Sequence, residues 1–300
     1  MTELSRITVK GNLIEKSKWR SYILSLQNSF EDLETNKERA KRNLKTALTN
    51  AIKKRITDNF GVLLSGGIDS TLIAFICKQF TYNFNCYTVG MENSPDLLYA
   101  EEVAQKLNLR LRTKTFTLEE FESILKKVAS IIKEPDTVKI SVGTVMQAAS
   151  ELAKNDNVNS LFSGLGSEEI FAGYERHWNA FQGDWKNIHQ ECWSGLIDMW
   201  SRDLKRDYSI ATENKTNLLL PFLDEEVINA AMNIHPMYKI NEMDKKIILR
   251  ETAEDMGLQK EFCWRKKKAA QYGSYFQKAI EKLAKKAGFK YIKPYLKSLL

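Results

Sequence analysis

The chain is predicted to adopt an α/β fold, a parallel sheet flanked by helices with a mostly helical C-terminal half. Three observations carry this. Apolar strand-like runs alternate with helical patterns as far as Phe162, the strand signal vanishes after about residue 170, and glycine turns follow Leu64, Val89 and Phe162. Strands separated by helices imply right-handed crossovers, and in such sheets ligands sit at the carboxyl ends of the strands. The three glycine turns are therefore expected to converge on one crevice.

Taken in order, Arg6 to Ile14 reads as a short β-hairpin centred on Lys10-Gly11-Asn12, and a long charged helix is expected from Phe30 to Ile56. Phe60–Leu64 reads as a strand, Asp69–Phe80 as a helix, Asn85–Gly90 as a strand, Asp96–Leu107 as a helix and Leu111–Phe116 as a third strand. Thr117-Leu118-Glu119-Glu120 has the form of a capping box and opens the next helix. A further helix is expected over Val142–Ala153 and a buried strand over Val158–Phe162. Beyond it Trp178, Trp185, Trp193 and Trp200 recur at a spacing near seven, which reads as helix core.

Composition narrows the class. A chain of 300 residues is long enough to bury a sizeable core, and its mean hydropathy of −0.40 is ordinary for a globular protein. No apolar run reaches the length of a membrane span and the N-terminus lacks a signal-peptide core, so a soluble cytoplasmic protein is expected. Cys77, Cys86, Cys192 and Cys263 form no Cys-x-x-Cys pair, which argues for reduced, mostly buried thiols over a zinc ribbon, an iron–sulfur centre or a disulfide framework. The net charge of +7 suits ATP or another polyanion and is also compatible with RNA. Much of it lies late, in Arg265-Lys266-Lys267-Lys268 and in the lysines from Lys278 to Lys297, and a basic tail of this kind usually forms a solvated helical face.

The chemistry begins at Leu64-Ser65-Gly66-Gly67-Ile68-Asp69-Ser70. Glycines let the backbone approach an oxyanion, and the N–H groups opening a helix point at it. The carboxylate of Asp69 belongs in such a cradle if Mg²⁺ bridges it to a polyphosphate. No Gly-Lys dipeptide occurs, which excludes a Walker loop, and the three spaced glycines of a dinucleotide fingerprint are missing. A second glycine turn, Ser163-Gly164-Leu165-Gly166-Ser167-Glu168-Glu169, faces the first across the expected crevice. Asp69 and Glu168 are then candidate metal ligands, with Gly66, Gly67 and Ser70 holding pyrophosphate.

The first loop resembles the Ser-Gly-Gly-x-Asp-Ser signature of the PP-loop ATP pyrophosphatases. The second, with Phe171-Ala172-Gly173-Tyr174, resembles the Ser-Gly-Glu-Gly-Ser-Asp-Glu and Gly-Gly-Tyr marks of the asparagine synthetase synthetase domain. Val89-Gly90 with Ser94-Pro95-Asp96 is similar to that family's adenosine-side loop. Arg206-Asp207, Pro221-Phe222-Leu223-Asp224, Lys246-Ile247-Ile248-Leu249-Arg250 and Arg265-x-Lys267 resemble its later marks. The resemblance covers residues 40–275. It implies a Rossmann-like fold of the adenine nucleotide alpha hydrolase type and an ATP- and Mg²⁺-dependent amidoligase. Such an enzyme adenylates a carboxylate, releases pyrophosphate, and lets a nitrogen nucleophile displace AMP. Leu64, Ser65, Gly66, Gly67, Asp69, Ser70, Val89, Gly90, Ser163 and Gly164 would bind the nucleotide, and Lys246 and Lys267 would act on phosphate or oxyanion. On this reading 1–40 is a hairpin and helical extension, 41–275 the ATP-binding domain and 276–300 a basic tail.

The chain departs from that family in two respects. Glutamine-dependent members begin with a cysteine nucleophile, whereas Met1 is followed here by Thr2. No glutaminase is expected, and nitrogen would come from ammonia, an amine or a separate glutaminase. Leu165 stands where the family has a glutamate tied to acylation and ammonia steps, and leucine neither takes a proton nor binds ammonium. Asn217 and Leu219 replace a Glu and an Arg. Ala172-Gly173-Tyr174-Glu175-Arg176-His177 and Gln271-Tyr272-Gly273-Ser274 are similar to a divergent branch, the asparagine synthetase domain-containing proteins. There Arg176 and His177 are candidates to bind a substrate anion, and Asp203 is a candidate base for an amine nucleophile. Two other readings compete with a small-molecule amidoligase: a PP-loop enzyme that adenylates a tRNA base, and a nucleotide-binding protein that has lost catalysis.

Overall fold

In a computed structural model, which describes residues 6–9, 11–27, 33–181, 184–266 and 269–300, five strands form one parallel sheet. They are β3 (Gly61–Leu63), β4 (Asn85–Met91), β5 (Leu111–Phe116), β6 (Ser160–Phe162) and β7 (Asn217–Leu219), in the order β5-β4-β3-β6-β7. The N-terminal hairpin is present as β1 (Thr8–Val9) and β2 (Asn12–Leu13), with Val9 opposite Asn12; Lys10 lies outside the described residues.

Alternation along the strands divides the core between the two faces of the sheet. Val62, Cys86 and Phe162 join one apolar cluster, which includes Leu44, Leu48 and Ile52 of α2 (Lys37–Lys53) and Leu72, Ile73 and Ile76 of α3 (Ile68–Phe80). On the other face Val89 packs with Phe121, Leu125 and Val128 of α5 (Leu118–Ile132) and with Ile140 and Ala149 of α6 (Thr137–Asn155). The helices after β3 and β4, α3 and α4 (Pro95–Leu107), return the chain to the start of the next strand. The capping box opens α5 as expected: Thr117 and Glu120 bond each other's backbone N–H groups.

Several expectations needed correction. The charged helix does not run from Phe30: α2 begins at Lys37, where Asn36 accepts the Arg39 N–H, while Glu34 bridges to Ile234; residues 28–32 lie outside the described set. The helix expected at Val142 starts at Thr137, because Asp136 caps it. Strand signal does not end at residue 170. The strand β7 is three residues long, too short for periodicity to reveal, yet it extends the sheet beside β6. The tryptophans form no single stripe. Trp178 lies on α8 (Glu175–Phe181) and Trp185 opens α9 (Trp185–Met199) at 39% exposure; of these four, Trp193 alone is fully buried. Trp200 begins a π-helical turn, Trp200–Leu204, that runs into α10 (Lys205–Asn214).

The remaining helices are α7 (Ser167–Ile170), α11 (Glu225–Asn233), α12 (Ile247–Asp255), α13 (Lys260–Cys263), α14 (Ala270–Gly273), α15 (Phe276–Lys286) and α16 (Ile292–Ser298). The late lysines are carried on α15 and α16, but α15 also buries Phe276, Ile280 and Leu283 against α5 and α6. The Asp of Pro-Phe-Leu-Asp is structural. Asp224 is 4% exposed, caps α11 at the Glu226 N–H, and pairs with Arg55 and Lys54 at 2.7 Å each. All four cysteines are free and buried, and burial drives the Cys86 thiol up to about 12. Among the described residues no helix is long and apolar enough to cross a membrane.

Candidate active site

The loop between β3 and α3 is built to expose backbone. Gly66 holds φ at +71°, a region that disfavours side chains, and a Cβ there would meet the Cβ of Tyr99 at 2.5 Å. Gly67, at the N-cap of α3, offers no side chain to bond the opening N–H groups of the helix. Those groups have no intrahelical partner and make the positive end of a 13-residue helix. The Ser65 N–H is donated to Ser70 Oγ at 3.1 Å, and Ser70 Oγ also lies 3.1 Å from Ser65 Oγ, so the two serines brace the turn from within. The side chains of Leu64 and Val89 are buried in the core, which leaves only their backbone for a ligand.

The turn after β6 lies directly against this loop. A Cβ on Gly164 would stand 2.9 Å from the Cβ of Asp69. Ser163 spends its N–H on Leu219 O in the sheet, and its hydroxyl accepts the Leu165 N–H at 3.3 Å. Ser167, whose role the sequence did not reveal, donates its hydroxyl to Asp69 Oδ1. The turn after β4 folds back tightly on the strand's end, since a Cβ on Gly90 would fall 2.1 Å from Ser94 Oγ. Loops after β3, β4 and β6 thus converge at the carboxyl edge of three adjacent strands, as expected.

At the meeting point stands Lys246. Its ammonium donates to Asp69 Oδ1 and Oδ2 at 2.9 and 2.8 Å, to Glu168 Oε1 at 2.7 Å and to Ser167 Oγ at 3.3 Å. Lys246 is 4% exposed and has φ 57° at the start of α12, so a left-handed residue aims the side chain inward. Burial works against its charge, but Asp69 and Glu168 together outweigh burial and hold the ammonium above the ordinary lysine range. Two carboxylates from facing loops therefore already share one positive charge.

That donor set suits Mg²⁺ carried on phosphates. Among the described residues no group of three or more His, Cys, Asp or Glu side chains could hold a metal ion alone. Mg²⁺ usually needs only one or two carboxylates when phosphate oxygens and water complete its shell. Asp69 and Glu168 fit that requirement.

Beyond Glu168 lies a buried ionic network. Glu169 is fully buried, with Arg202 on its Oε1, and Arg202 also bonds Asp203 at 2.7 Å. Burial first, then the neighbouring Asp203, pushes the Glu169 carboxyl up to about 7, against the pull of Arg202. Arg206 bonds Asp207 at 2.7 Å and Asp203 at 3.2 Å. Asp203 thus has both oxygens engaged by guanidinium groups, inside this network and not among the carboxylates that face Lys246. Tyr174 is flanked by two guanidinium groups, Arg176 at 4.1 Å and Arg202 at 5.2 Å from its ring centre. Arg176 is also paired with Glu191 at 2.8 Å. His177 is fully buried and its Nδ1 accepts the Tyr174 N–H; burial and then Arg176 push it down to about 3, so the ring stays neutral. Lys267 lies outside the described residues.

A family model for asparagine synthase matches residues 43–187 and 178–289. The chain is 37% identical over 302 residues to a protein of Methanocaldococcus jannaschii titled "Putative asparagine synthetase (glutamine-hydrolyzing) 1", covering 87% of this chain and 55% of the relative. It is 33% identical over 244 residues to the glutamine-hydrolyzing asparagine synthetase of Homo sapiens, covering 77% of this chain and 43% of that one. The chain spans about half the length of the curated relatives it matches. Among solved structures, an NMN synthetase from Francisella tularensis aligns over 88% of this chain and 93% of its own, with 13% identity and a TM-score of 0.42.

Proposed function

The chain belongs to the asparagine synthase family, and on that footing we propose that it is an ATP- and Mg²⁺-dependent amidoligase that forms AMP. A carboxylate oxygen of a small-molecule substrate attacks the α-phosphorus, the bond to the β-phosphate oxygen breaks, and pyrophosphate leaves. A nitrogen nucleophile then adds to the activated carbonyl, loses a proton, and expels AMP.

The observation that carries this reading is the pair Asp69 and Glu168 sharing the ammonium of Lys246. The N–H groups of Gly66, Gly67 and Ser70 hold the leaving pyrophosphate at the positive end of α3. Asp69 and Glu168 would hold Mg²⁺, which when bound would supply positive charge against the leaving pyrophosphate. Lys246, at the junction of both loops, is placed to hold a phosphate or acyl oxygen as charge builds. The carboxyl end of β4, with Val89 and Gly90, would take the adenosine. Leu165 packs its side chain against the core. Leu165 stands where the resemblance puts a glutamate and offers a nitrogen donor no carboxylate, and this favours a product other than asparagine.

The alternative that adenylates a tRNA base would use the same ATP site, but the four buried thiols give no support to a thiolating enzyme. The test is direct. Incubated with Mg-ATP, ammonium and a panel of carboxylates, the protein should release AMP and pyrophosphate in equal amounts. Production of ADP alone would sink the proposal.

A further inference from the structure

Among residues 264–266 and 269–275, two contacts hold α4 and the end of β4. Arg265 is the first. Its side chain is 11% exposed, its Nη2 bonds Glu102 Oε2 at 2.7 Å, its Nη1 reaches Tyr99 O at 3.4 Å, and its guanidinium stacks 4.6 Å from the centre of the Tyr99 ring. The second lies at Gly273 and Ser274. A Cβ on Gly273 would come within 2.1 Å of Asp96 Oδ1, and Ser274 O accepts the Met91 N–H at 2.9 Å, at the end of β4.

Tyr99 joins this segment to the crevice. The Cβ, carbonyl carbon and carbonyl oxygen that a Cβ on Gly66 would strike, at 2.5, 2.8 and 3.0 Å, all belong to Tyr99. The backbone of α4 at Tyr99 therefore lies directly against Gly66, and Arg265 holds the same residue by its carbonyl oxygen and its ring. The ion pair alone does not account for this burial. Glu102 keeps 42% of its side chain exposed, and pairs so open to water contribute little. A planar guanidinium that stacks on a ring and also bonds the carbonyl of the same residue fixes position in a way a lysine does not.

We infer that Arg265 is a positioning residue for the anion loop: it holds Tyr99 under Gly66 so that the loop N–H groups stay aimed at phosphate. This rests on the reading of Ser65 to Ser70 as a pyrophosphate cradle. The adenosine-side loop is pinned separately, by Gly273 and Ser274, so the effect of Arg265 falls on phosphate and spares the nucleoside.

Calorimetry with magnesium pyrophosphate and, separately, with AMP tests this. Arg265→Met should weaken pyrophosphate by about tenfold and AMP by less than about twofold. Arg265→Lys should fall between parent and Arg265→Met for pyrophosphate, since it keeps the charge and loses the stack. Pyrophosphate affinity in Arg265→Met equal to the parent's would overturn the inference. So would a parallel loss of both ligands that tracks a fall in melting temperature, which is what a merely structural arginine would give. A parent that binds AMP but no pyrophosphate overturns the cradle reading and this inference with it, an outcome seen before any variant is made.

Discussion

The ammonium of Lys246 lies 2.8 and 2.9 Å from the two carboxylate oxygens of Asp69, a residue 177 positions earlier in the chain. With Glu168 at 2.7 Å it occupies the point between the facing loops where the proposal puts a divalent cation. A divalent cation held by Asp69 and Glu168 would compete with the lysine for these carboxylates, and phosphates bound with it would offer the ammonium another partner.

Lys246→Met should then separate two properties. Turnover should fall by about 100-fold or more, the scale of losing one charged stabiliser in the transition state. Without nucleotide, Mn²⁺ should bind the variant more tightly than the parent, read by electron paramagnetic resonance, because the two carboxylates no longer have the lysine's charge between them. Equal Mn²⁺ affinity in both proteins would show that the lysine does not hold the cation's place.

Gly66→Ala tests the cradle. The left-handed φ of +71° costs an alanine about 1–2 kcal/mol, and its Cβ collides with Tyr99 backbone. The melting temperature should drop modestly, while Mg-ATP affinity drops more steeply than for Gly288→Ala. Gly288 is also left-handed at +82°, but nothing lies within 4 Å of its added Cβ.

Glu169 gives a prediction with a definite sign. Its carboxyl is raised to about 7 in the fold from the ordinary 4.5, so the folded state holds more protons than the unfolded state between those values. Stability contributed by this site is present below pH 4.5 and is lost as pH rises toward 7. Glu169→Gln keeps the shape and cannot ionise. Its stability relative to the parent should be better at pH 8 than at pH 5 in urea denaturation, and a pH-independent difference would refute the assignment.

Asp224→Ala should act on the fold and not on the chemistry. It strands the buried Arg55 guanidinium and removes the cap of α11, at a cost of about 3–5 kcal/mol. The folded fraction should keep the ATP affinity of the parent. A variant of normal stability with lost nucleotide binding would place Asp224 in the site after all.

The two glycine loops were legible because their function depends on backbone, and backbone needs leave a local imprint: a strand, a glycine, a helix start. Lys246 was legible only through resemblance, since a lysine beside Lys245 carries no local mark of burial. Ser167 lay within a recognised stretch, yet nothing in its neighbours shows that its hydroxyl reaches Asp69. Arg202, which bonds both Glu169 and Asp203, had no signal at all, because a single arginine in a helical pattern reads as solvated.

The sequence by itself determined the parallel sheet as far as β6, the carboxyl-edge location of the crevice and the residues of both loops, all of which follow from periodicity and turn chemistry within short windows. Only the tertiary structure decided which charges meet. It paired Lys246 with Asp69 and Glu168, drew Asp203 into a network of arginines, and brought Tyr99 into contact with both Gly66 and Arg265. Ion pairing and packing act over a few ångströms of space and are indifferent to distance along the chain, so no window of sequence contains them.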